Sequence, residues 1–166
     1  MGEGVEGIKK MFALYKKQKI DPKNTPILEG DRVIVRRLGK KDYRDWTHMR
    51  AKNKDFLQPY EPTWARDALT HDFYDRRLVR QDREWRAGRG YSFIILARNH
   101  SALIGGININ HVVRGAALSG SLGYWLDEDH QGQGYMAESL QLVIDYAFQE
   151  IGLHRLHAAC LPDNTR

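Results

Sequence analysis

A glycine-rich segment, Gln131-Gly132-Gln133-Gly134, stands directly before an apolar repeat that is typical of a helix. The first N–H groups of a helix lack intrahelical partners, and the helix dipole adds partial positive charge at that end. Glycines also let the backbone approach a phosphate with no side chain in the way. The segment therefore predicts a diphosphate-binding loop, with a plain tight turn as the alternative.

Other phosphate and metal motifs do not occur in the sequence. There is no G-x-x-x-x-G-K-[ST] pattern and no G-x-G-x-x-G followed by an acidic ribose contact, so nucleotide hydrolysis and dinucleotide redox chemistry lose support. No H-E-x-x-H, no paired cysteines and no calcium loop are present, and we expect no metal.

The elements around the glycine loop form a strand, loop, helix, strand unit. The preceding strand ends at Tyr124, Trp125 and Leu126, and a later strand alternates Leu156, Ala158 and Cys160 with other residues. Gly152 predicts a left-handed end to the helix. The apolar positions of that helix are Met136, Leu140, Val143, Ile144, Ala147, Phe148 and Ile151. We therefore expect two parallel strands joined by a right-handed crossover.

The remaining sequence predicts strands and helices in a simple order. A first strand surrounds Val33 and Val35, and Asp42 is positioned to cap a helix. One long or two short helices follow between Ala65 and Arg86, and then a meander of three strands. Those three strands are predicted over residues 91–98, 103–110 and 118–126.

The N-terminal region is predicted to be an appendage. Residues 5–18 have the spacing of a short amphipathic helix, and prolines in residues 21–26 make a linker. We therefore divide the chain into an extension over residues 1–26 and a domain over residues 27–166. The net charge of +5 in 166 residues favours an anionic partner such as CoA phosphates, although lysines clustered in the extension account for much of it.

The composition indicates a folded protein without a bilayer span. Hydrophobic residues make up 42% and charged residues 28%, which is close to the average for globular domains. No apolar run approaches the length of a transmembrane helix and no signal peptide is evident, so we expect a cytoplasmic protein. The single cysteine, Cys160, is interpreted as a small core residue.

The segment Gln131-Gly132-Gln133-Gly134-Tyr135-Met136 resembles the Q/R-x-x-G-x-G/A loop of the GNAT acetyltransferases, which holds the diphosphate of acetyl-CoA. The resemblance implies an α/β (α+β) fold: a mixed, mostly antiparallel central sheet with helices on both faces and a parallel β-α-β unit at the acetyl-CoA site. Met136 departs from the family pattern, where Gly or Ala is usual. Its side chain either tightens the approach to CoA or packs with Leu140.

Three further segments resemble the ribosomal-protein-alanine N-acetyltransferases, namely residues 56–62, 111–115 and 122–125. The resemblance implies that Tyr124, Trp125 and Leu126 flank the pantetheine, and that a backbone N–H there faces the thioester carbonyl. It also implies that Asn164 helps to hold acetyl-CoA. The family normally continues with a helix and two strands, often with a tyrosine that protonates the CoA thiolate, so we expect a domain truncated after its fifth strand.

Glu61 is the candidate general base. It lies in a loop with two prolines near the place where the family's acceptor peptide enters, and it could take an ammonium proton through water. A carboxylate that pairs locally is the alternative. Tyr135 either packs over the pantetheine or covers the helix start, and the acidic run Asp127-Glu128-Asp129 is interpreted as a solvated loop.

The predicted function is transfer of acetyl from acetyl-CoA to the N-terminal α-amine of a protein that begins with Ala or Ser, such as a small-subunit ribosomal protein. Two alternatives stay open. One is acetylation of a small-molecule amine, and the other is a CoA-binding or ribosome-associated module without turnover. Direct nucleic-acid binding is not expected, but contact with rRNA stays open, and the sequence does not define an oligomeric state.

Overall fold

The computed structural model describes residues 25–160 of the chain. The predicted helix over residues 5–18 and the predicted CoA contact Asn164 lie outside the described residues. None of the helices within residues 25–160 is both long and apolar enough to cross a membrane.

Within residues 25–160, six strands form one sheet in the order of the chain, from β1 to β6. Neighbouring strands are antiparallel except β5 and β6, which are parallel. The strands are β1 (Ile27–Glu29), β2 (Val33–Arg36), β3 (Tyr91–Ala97), β4 (Leu103–Val113), β5 (Ser119–Leu126) and β6 (Arg155–Ala158). This confirms the predicted mixed, mostly antiparallel sheet with its parallel β-α-β unit.

Four α-helices accompany the sheet in the described residues. They are α1 (Tyr43–Lys52), α2 (Lys54–Leu57), α3 (His71–Arg86) and α4 (Tyr135–Gln149). The region from Ala65 to Arg86 therefore holds one long helix, and its first turn is capped by the Thr70 hydroxyl, which accepts from Phe73 N at 3.3 Å. At the end of α4, Gly152 has a φ of +74°, as its position in the sequence predicts.

Apolar side chains on the two faces of the sheet form two clusters, which explains why helices lie on both faces. Phe93 and Ile95 of β3 pack in the main cluster with Val143 of α4. The intervening Ile94 packs in a second cluster with Tyr74 of α3. Because successive strand residues point to opposite faces, one apolar strand supplies both clusters.

The structure differs from the sequence-based expectations at four places. Strand β1 was not predicted, so β2 is the second strand and the sheet has six strands instead of five. Asp42 precedes α1 but does not cap it with its side chain, because its carboxylate accepts hydrogen bonds from Arg36 and Gly39 N. The loop with two prolines contains a 3-10 turn at Gln58–Tyr60. Cys160 is exposed, not in the core, because it follows the edge strand β6.

Candidate active site

The glycine loop leads directly into helix α4 with its backbone amides open. Gly132 and Gly134 have φ angles of +67° and +82°, and Gly134 is the N-cap of the helix without a side-chain cap. The first helical hydrogen bond runs from Glu138 N to Gly134 O at 3.1 Å. The N–H groups of residues 135–137 therefore have no intrahelical acceptor, which is the arrangement that binds a phosphate.

Arg32, at the start of β2, holds this loop from the side. Its Nη1 donates to Gln133 O at 2.8 Å and its Nε to Glu138 Oε2 at 3.1 Å. A Cβ on Gly134 would lie 2.9 Å from Arg32 Nη2, so only glycine fits there without displacing the guanidinium. The loop therefore presents both amides and a fixed cation to a diphosphate, which fits the chemistry of CoA.

Glu138 is the counterion of Arg32 in the first turn of α4. Burial raises the pKa of Glu138, but hydrogen bonds from the Arg32 backbone and side chain outweigh burial and hold that pKa below its usual range. The carboxylate also accepts from Arg32 N at 2.9 Å. A carboxylate in the first turn of a helix is favourable charge at its N-terminus, and here it also ties the start of β2 to α4.

The two side chains that begin α4 serve local packing. The Tyr135 ring lies 5.2 Å from Arg32 Cζ and 5.7 Å from the ring of His130, so it covers the helix start. Met136 packs with Leu140 against the main core cluster. The structure thus favours packing for Met136 over a close approach to CoA. The side chain of Gln133 donates to Asp129 O at 2.9 Å and closes the loop, whereas Gln131 is half-buried beside it.

Strand β5 extends beyond the end of its parallel neighbour. The pairing of β5 with β6 runs from Ser119↔Arg155 to Leu122↔Ala158, so Tyr124, Trp125 and Leu126 have no partner in β6. Asp127 N donates to Ile104 O of β4 at 2.7 Å. Because alternate residues of a strand point their N–H groups in opposite directions, the N–H groups of Tyr124 and Leu126 face the open side.

Asp127 is buried, which corrects the expectation of a solvated loop at this residue, whereas Glu128 and Asp129 are exposed as predicted. The Asp127 side chain is 0% exposed and accepts from Lys52 Nζ at 2.8 Å, Asn53 Nδ2 at 2.7 Å and His130 Nδ1 at 2.6 Å. Burial raises the pKa of Asp127, but these hydrogen bonds together hold it below its usual range. The network fixes the end of β5 to the end of α1, and Asn53 Oδ1 accepts Glu128 N at 2.9 Å.

A cleft of about 1010 Å³ lies on the face of the sheet covered by α1 and α3. Its walls come from residues 60–65, from α3, and from the side chains that β3, β4 and β5 turn to that face. Tyr124 and Trp125 are part of its lining. The cleft therefore reaches the same strand end that the glycine loop follows.

Glu61 lies in this cleft and is paired. Arg50 donates two hydrogen bonds to its carboxylate, one of them 2.8 Å long, and Trp64 Nε1 donates a third at 2.8 Å. Burial raises the pKa of Glu61, but the contacts with Arg50 and Trp64 outweigh it and hold the pKa below its usual range. The local pairing that was the alternative for Glu61 is present, and the carboxylate is ionised at neutral pH.

The predicted site residues thus form two groups, and Tyr124 and Trp125, at the end of the strand that precedes the glycine loop, also line the cleft. The glycine loop and the end of β5 are on one side, and Glu61 is in the cleft on the other. Three arginines were not predicted from the sequence: Arg32 on the loop, and Arg50 and Arg77 in the cleft. Nothing in their local sequence distinguishes them from the other arginines, because their surroundings are set by the packing of the helices and the sheet and not by neighbouring residues. In the described residues no group of three His, Cys, Asp or Glu side chains could hold a metal.

Comparison with known proteins agrees with this geometry. Residues 32–166 match the acetyltransferase (GNAT) domain family. The chain is 32% identical over 138 residues to the probable N-acetyltransferase YjcK of Bacillus subtilis, covering 83% of this chain and 76% of that protein. It is 30% identical to the [ribosomal protein uS5]-alanine N-acetyltransferase of Escherichia coli over 84% of this chain and 72% of that protein.

A solved structure supports the same assignment. RimJ of Mycobacterium smegmatis, in complex with CoA-disulfide, superposes with a TM-score of 0.75 at 26% identity, over 85% of this chain and 68% of that one. The chain belongs to the GNAT family of N-acetyltransferases. Its sheet, with the parallel β5–β6 pair beside the glycine loop, is the GNAT fold.

Proposed function

We propose that this chain transfers the acetyl group of acetyl-CoA to the N-terminal α-amine of a protein that begins with Ala or Ser, with a ribosomal protein in the cytoplasm as the acceptor. The observation that carries the proposal is the position of Tyr124 and Trp125. They lie beyond Leu122, the last residue of β5 that pairs with β6, on the stretch of strand that leads to the glycine loop. They also line the cleft. An acyl donor entering from the loop and an amine entering from the cleft would meet there.

On the donor side we assign the diphosphate to the amides of the loop Gln131–Met136, with Arg32 as the neighbouring cation. The pantetheine would follow the open edge of β5 along Tyr124, Trp125 and Leu126, and Asn164 is a further proposed contact. The N–H groups of Tyr124 and Leu126 that face this edge are the candidates for binding the thioester oxygen. In comparable sites one such donor contributes roughly 3–4 kcal/mol to the transition state.

On the acceptor side the neutral amine attacks the thioester carbonyl carbon, a C–N bond forms and the C–S bond breaks. The sulfur leaves as a thiolate and takes up one proton, and the nitrogen loses one proton as it becomes an amide, so the protons balance. We propose that Glu61 receives the ammonium proton through water before the attack. An α-amine has a pKa of about 8, so its neutral form is already well populated near neutral pH, and a weak base suffices.

The size of the cleft favours a peptide end over a small amine. Its volume of about 1010 Å³ stands at the upper end of the roughly 300–1000 Å³ that is common for small-molecule sites. The identity of 30% to an enzyme named for the alanine of ribosomal protein uS5 supports a ribosomal acceptor. A small amine and a CoA-binding module without turnover are the competing functions.

The proposal is tested in two steps on the full chain. Calorimetric titration with acetyl-CoA should show binding, and Gly134→Glu should abolish it by placing bulk and negative charge in the loop. An acetylation assay should then show preference for peptides that begin with Ala or Ser over peptides with other first residues and over aminoglycosides or polyamines. Preference for small amines, or tight binding of acetyl-CoA without turnover of any amine, would contradict the proposal.

A further inference from the structure

Arg77 of α3 is a cation in the cleft that forms no ion pair within residues 25–160. Its Nε is buried and has no hydrogen-bond partner among residues 25–160, and its guanidinium lies 5.1 Å from the ring of Trp46. Burying a charge costs free energy unless an opposite charge or hydrogen bonds compensate for it. An unpaired arginine in the wall of a cleft is therefore a candidate for binding a ligand.

The other charges of the cleft compensate for Arg77 only in part, because Glu61 attracts it without forming an ion pair with it. Glu61 is already bound by Arg50, and Glu84 is bound by Arg89 through two contacts of 3.1 Å. Once these two pairs are counted, the positive charges of Arg77 and Arg80 remain among the cleft residues. Burial, and then repulsion from Arg50 and Arg80, lower the pKa of Arg77 to about 10, which leaves it charged at neutral pH.

Arg77 is also close to the strand end where the reaction is proposed to occur. The wall of the cleft around Arg77 also carries Gln81, Ser92 and Asn108, together with Trp125. These polar side chains come from α3, β3 and β4 and converge next to Trp125. A guanidinium with neutral hydrogen-bonding groups around it suits a carboxylate, which Arg binds through two parallel N–H···O bonds.

We propose that Arg77 binds a carboxylate of the acceptor, and that the chain therefore prefers protein N-termini with an acidic residue within the first few positions. This inference rests on the proposed function, because it names the acceptor class of the same cleft. An aspartate or glutamate of the acceptor would compensate for Arg77 only when the acceptor is bound. The free protein carries the cost of the unpaired charge, and an acidic acceptor relieves it.

The test uses pairs of peptides that begin with Ala or Ser and differ only by Asp or Asn at position two, three or four. For at least one position, the wild-type KM should be about tenfold or more lower with Asp than with Asn, which corresponds to ~1.4 kcal/mol. Arg77→Gln should reduce this preference to within about twofold, and Arg77→Lys should keep part of it, since it keeps the charge but loses the planar fork. The acetyl-CoA affinity of both variants should equal that of the wild type, which also reports that they fold.

Arg76→Gln is the matched control, because Arg76 is the preceding residue of α3. Its guanidinium lies 2.5 Å from the Asp67 carboxylate, and neither residue lines the cleft. It should keep the full preference for Asp. Equal KM for Asp and Asn peptides in the wild type, or a preference that persists in Arg77→Gln, would overturn the role of Arg77 while leaving N-terminal acetylation intact. If no peptide is acetylated, the same peptides are titrated into the CoA-bound protein. Binding with a preference for Asp that depends on Arg77 would support the inference without the reaction. No binding of any peptide would reject both the inference and the proposed function.

Discussion

Arg50 and Glu61 form a bidentate ion pair that joins helix α1 to the loop at the mouth of the cleft. The Arg50 guanidinium also lies 4.3 Å from the ring of Trp64 and 5.1 Å from the ring of Trp125. The proposed base is therefore linked through one cation to the strand end where the acetyl group is proposed to lie. The ion pair fixes the position of the Glu61 carboxylate and stabilises its negative charge.

Replacing Glu61 with Gln tests whether this carboxylate takes a proton or only orders the cleft. An α-amine with a pKa of about 8 is only about one-tenth neutral at pH 7, so we expect kcat/KM at that pH to fall by about tenfold. The pKa of Glu61 is lowered, so the group is ionised over the whole assay range. The difference in kcat/KM between Glu61→Gln and the wild type should shrink above about pH 9, where the α-amine is already neutral. Steady-state kinetics of both proteins between pH 6 and about pH 10 measure this difference.

Glu84→Gln is the control for that experiment. Glu84 lines the same cleft but binds Arg89 near its edge, so its removal should leave the pH–rate profile unchanged. A loss of activity in Glu61→Gln that is the same at every pH would show that Glu61 acts by holding Arg50 and Trp64. In that case its role as a base would be rejected.

Substituting Gly134 with Ala should weaken acetyl-CoA binding more than it weakens the fold. A φ of +82° costs a residue with a Cβ roughly 1–2 kcal/mol, and this Cβ would also displace the Arg32 guanidinium that lies 2.9 Å away. We expect the Kd for acetyl-CoA to rise by about tenfold or more, equivalent to ~1.4 kcal/mol. Calorimetric titration measures the Kd, and thermal unfolding measures the cost in stability.

Gly115→Ala is matched to Gly134→Ala in backbone strain. Gly115 has a φ of +76°, no other group lies within 4 Å of the place that a Cβ would take, and the residue lies in the turn between β4 and β5. Both variants should lose a similar amount of stability, but only Gly134→Ala should lose affinity for acetyl-CoA. Equal affinities in the two variants would mean that the loop does not bind the diphosphate.

Asp127 makes stability depend on pH in a predictable direction. Its pKa is lowered in the folded state, so it stabilises the fold above its unfolded pKa of ~3.9 and this contribution is lost as the pH falls through the folded value. Asp127→Asn should therefore lower the free energy of unfolding by about 1–3 kcal/mol at pH 7, because the buried carboxylate that binds Lys52 and His130 is lost, while Lys52 is partly exposed and keeps Asp129. The difference from the wild type should narrow below pH ~4.

Urea denaturation at a series of pH values measures this effect. Asp129→Asn is the control, since Asp129 also contacts Lys52, at 2.6 Å, but its side chain is 71% exposed. Exposed ion pairs contribute about 0–1 kcal/mol, so this variant should differ little from the wild type at any pH. A pH-independent loss in Asp127→Asn would mean that shape and not charge matters at this position.

The parts of the fold that depend on local pattern could be predicted from the sequence. The apolar repeat of α4, the left-handed Gly152 and the alternation of β3 each follow from periodicity or from one residue's conformational freedom. The three-residue β1 could not be predicted, because its pairing with β2 depends on contacts and not on its own composition. Asp127 was misjudged for the same reason, since its partners Lys52 and Asn53 are far away in sequence.

The candidate site also has one part that local sequence predicts and one part that it does not. The glycine loop is a local signal, and the structure places its backbone as a diphosphate site requires. The cleft is not local: Arg50 and Arg77 are ordinary helix residues until the fold brings α1 and α3 over one face of the sheet. An unpaired charge can be recognised only when the surrounding charges are known in space. The sequence therefore defines the proposed cofactor site more sharply than it defines the acceptor.

Met136 departs from the family pattern in the glycine loop, and its replacement by Ala tests whether this departure affects the cofactor. Because the side chain packs partly buried against the main core with Leu140, we expect Met136→Ala to lower the free energy of unfolding by about 2 kcal/mol, the low end for such truncations. The Kd for acetyl-CoA should stay within about twofold. Leu140→Ala, one turn further along α4, is the control and should behave alike. Tighter acetyl-CoA binding by Met136→Ala alone would show that the methionine obstructs the diphosphate loop.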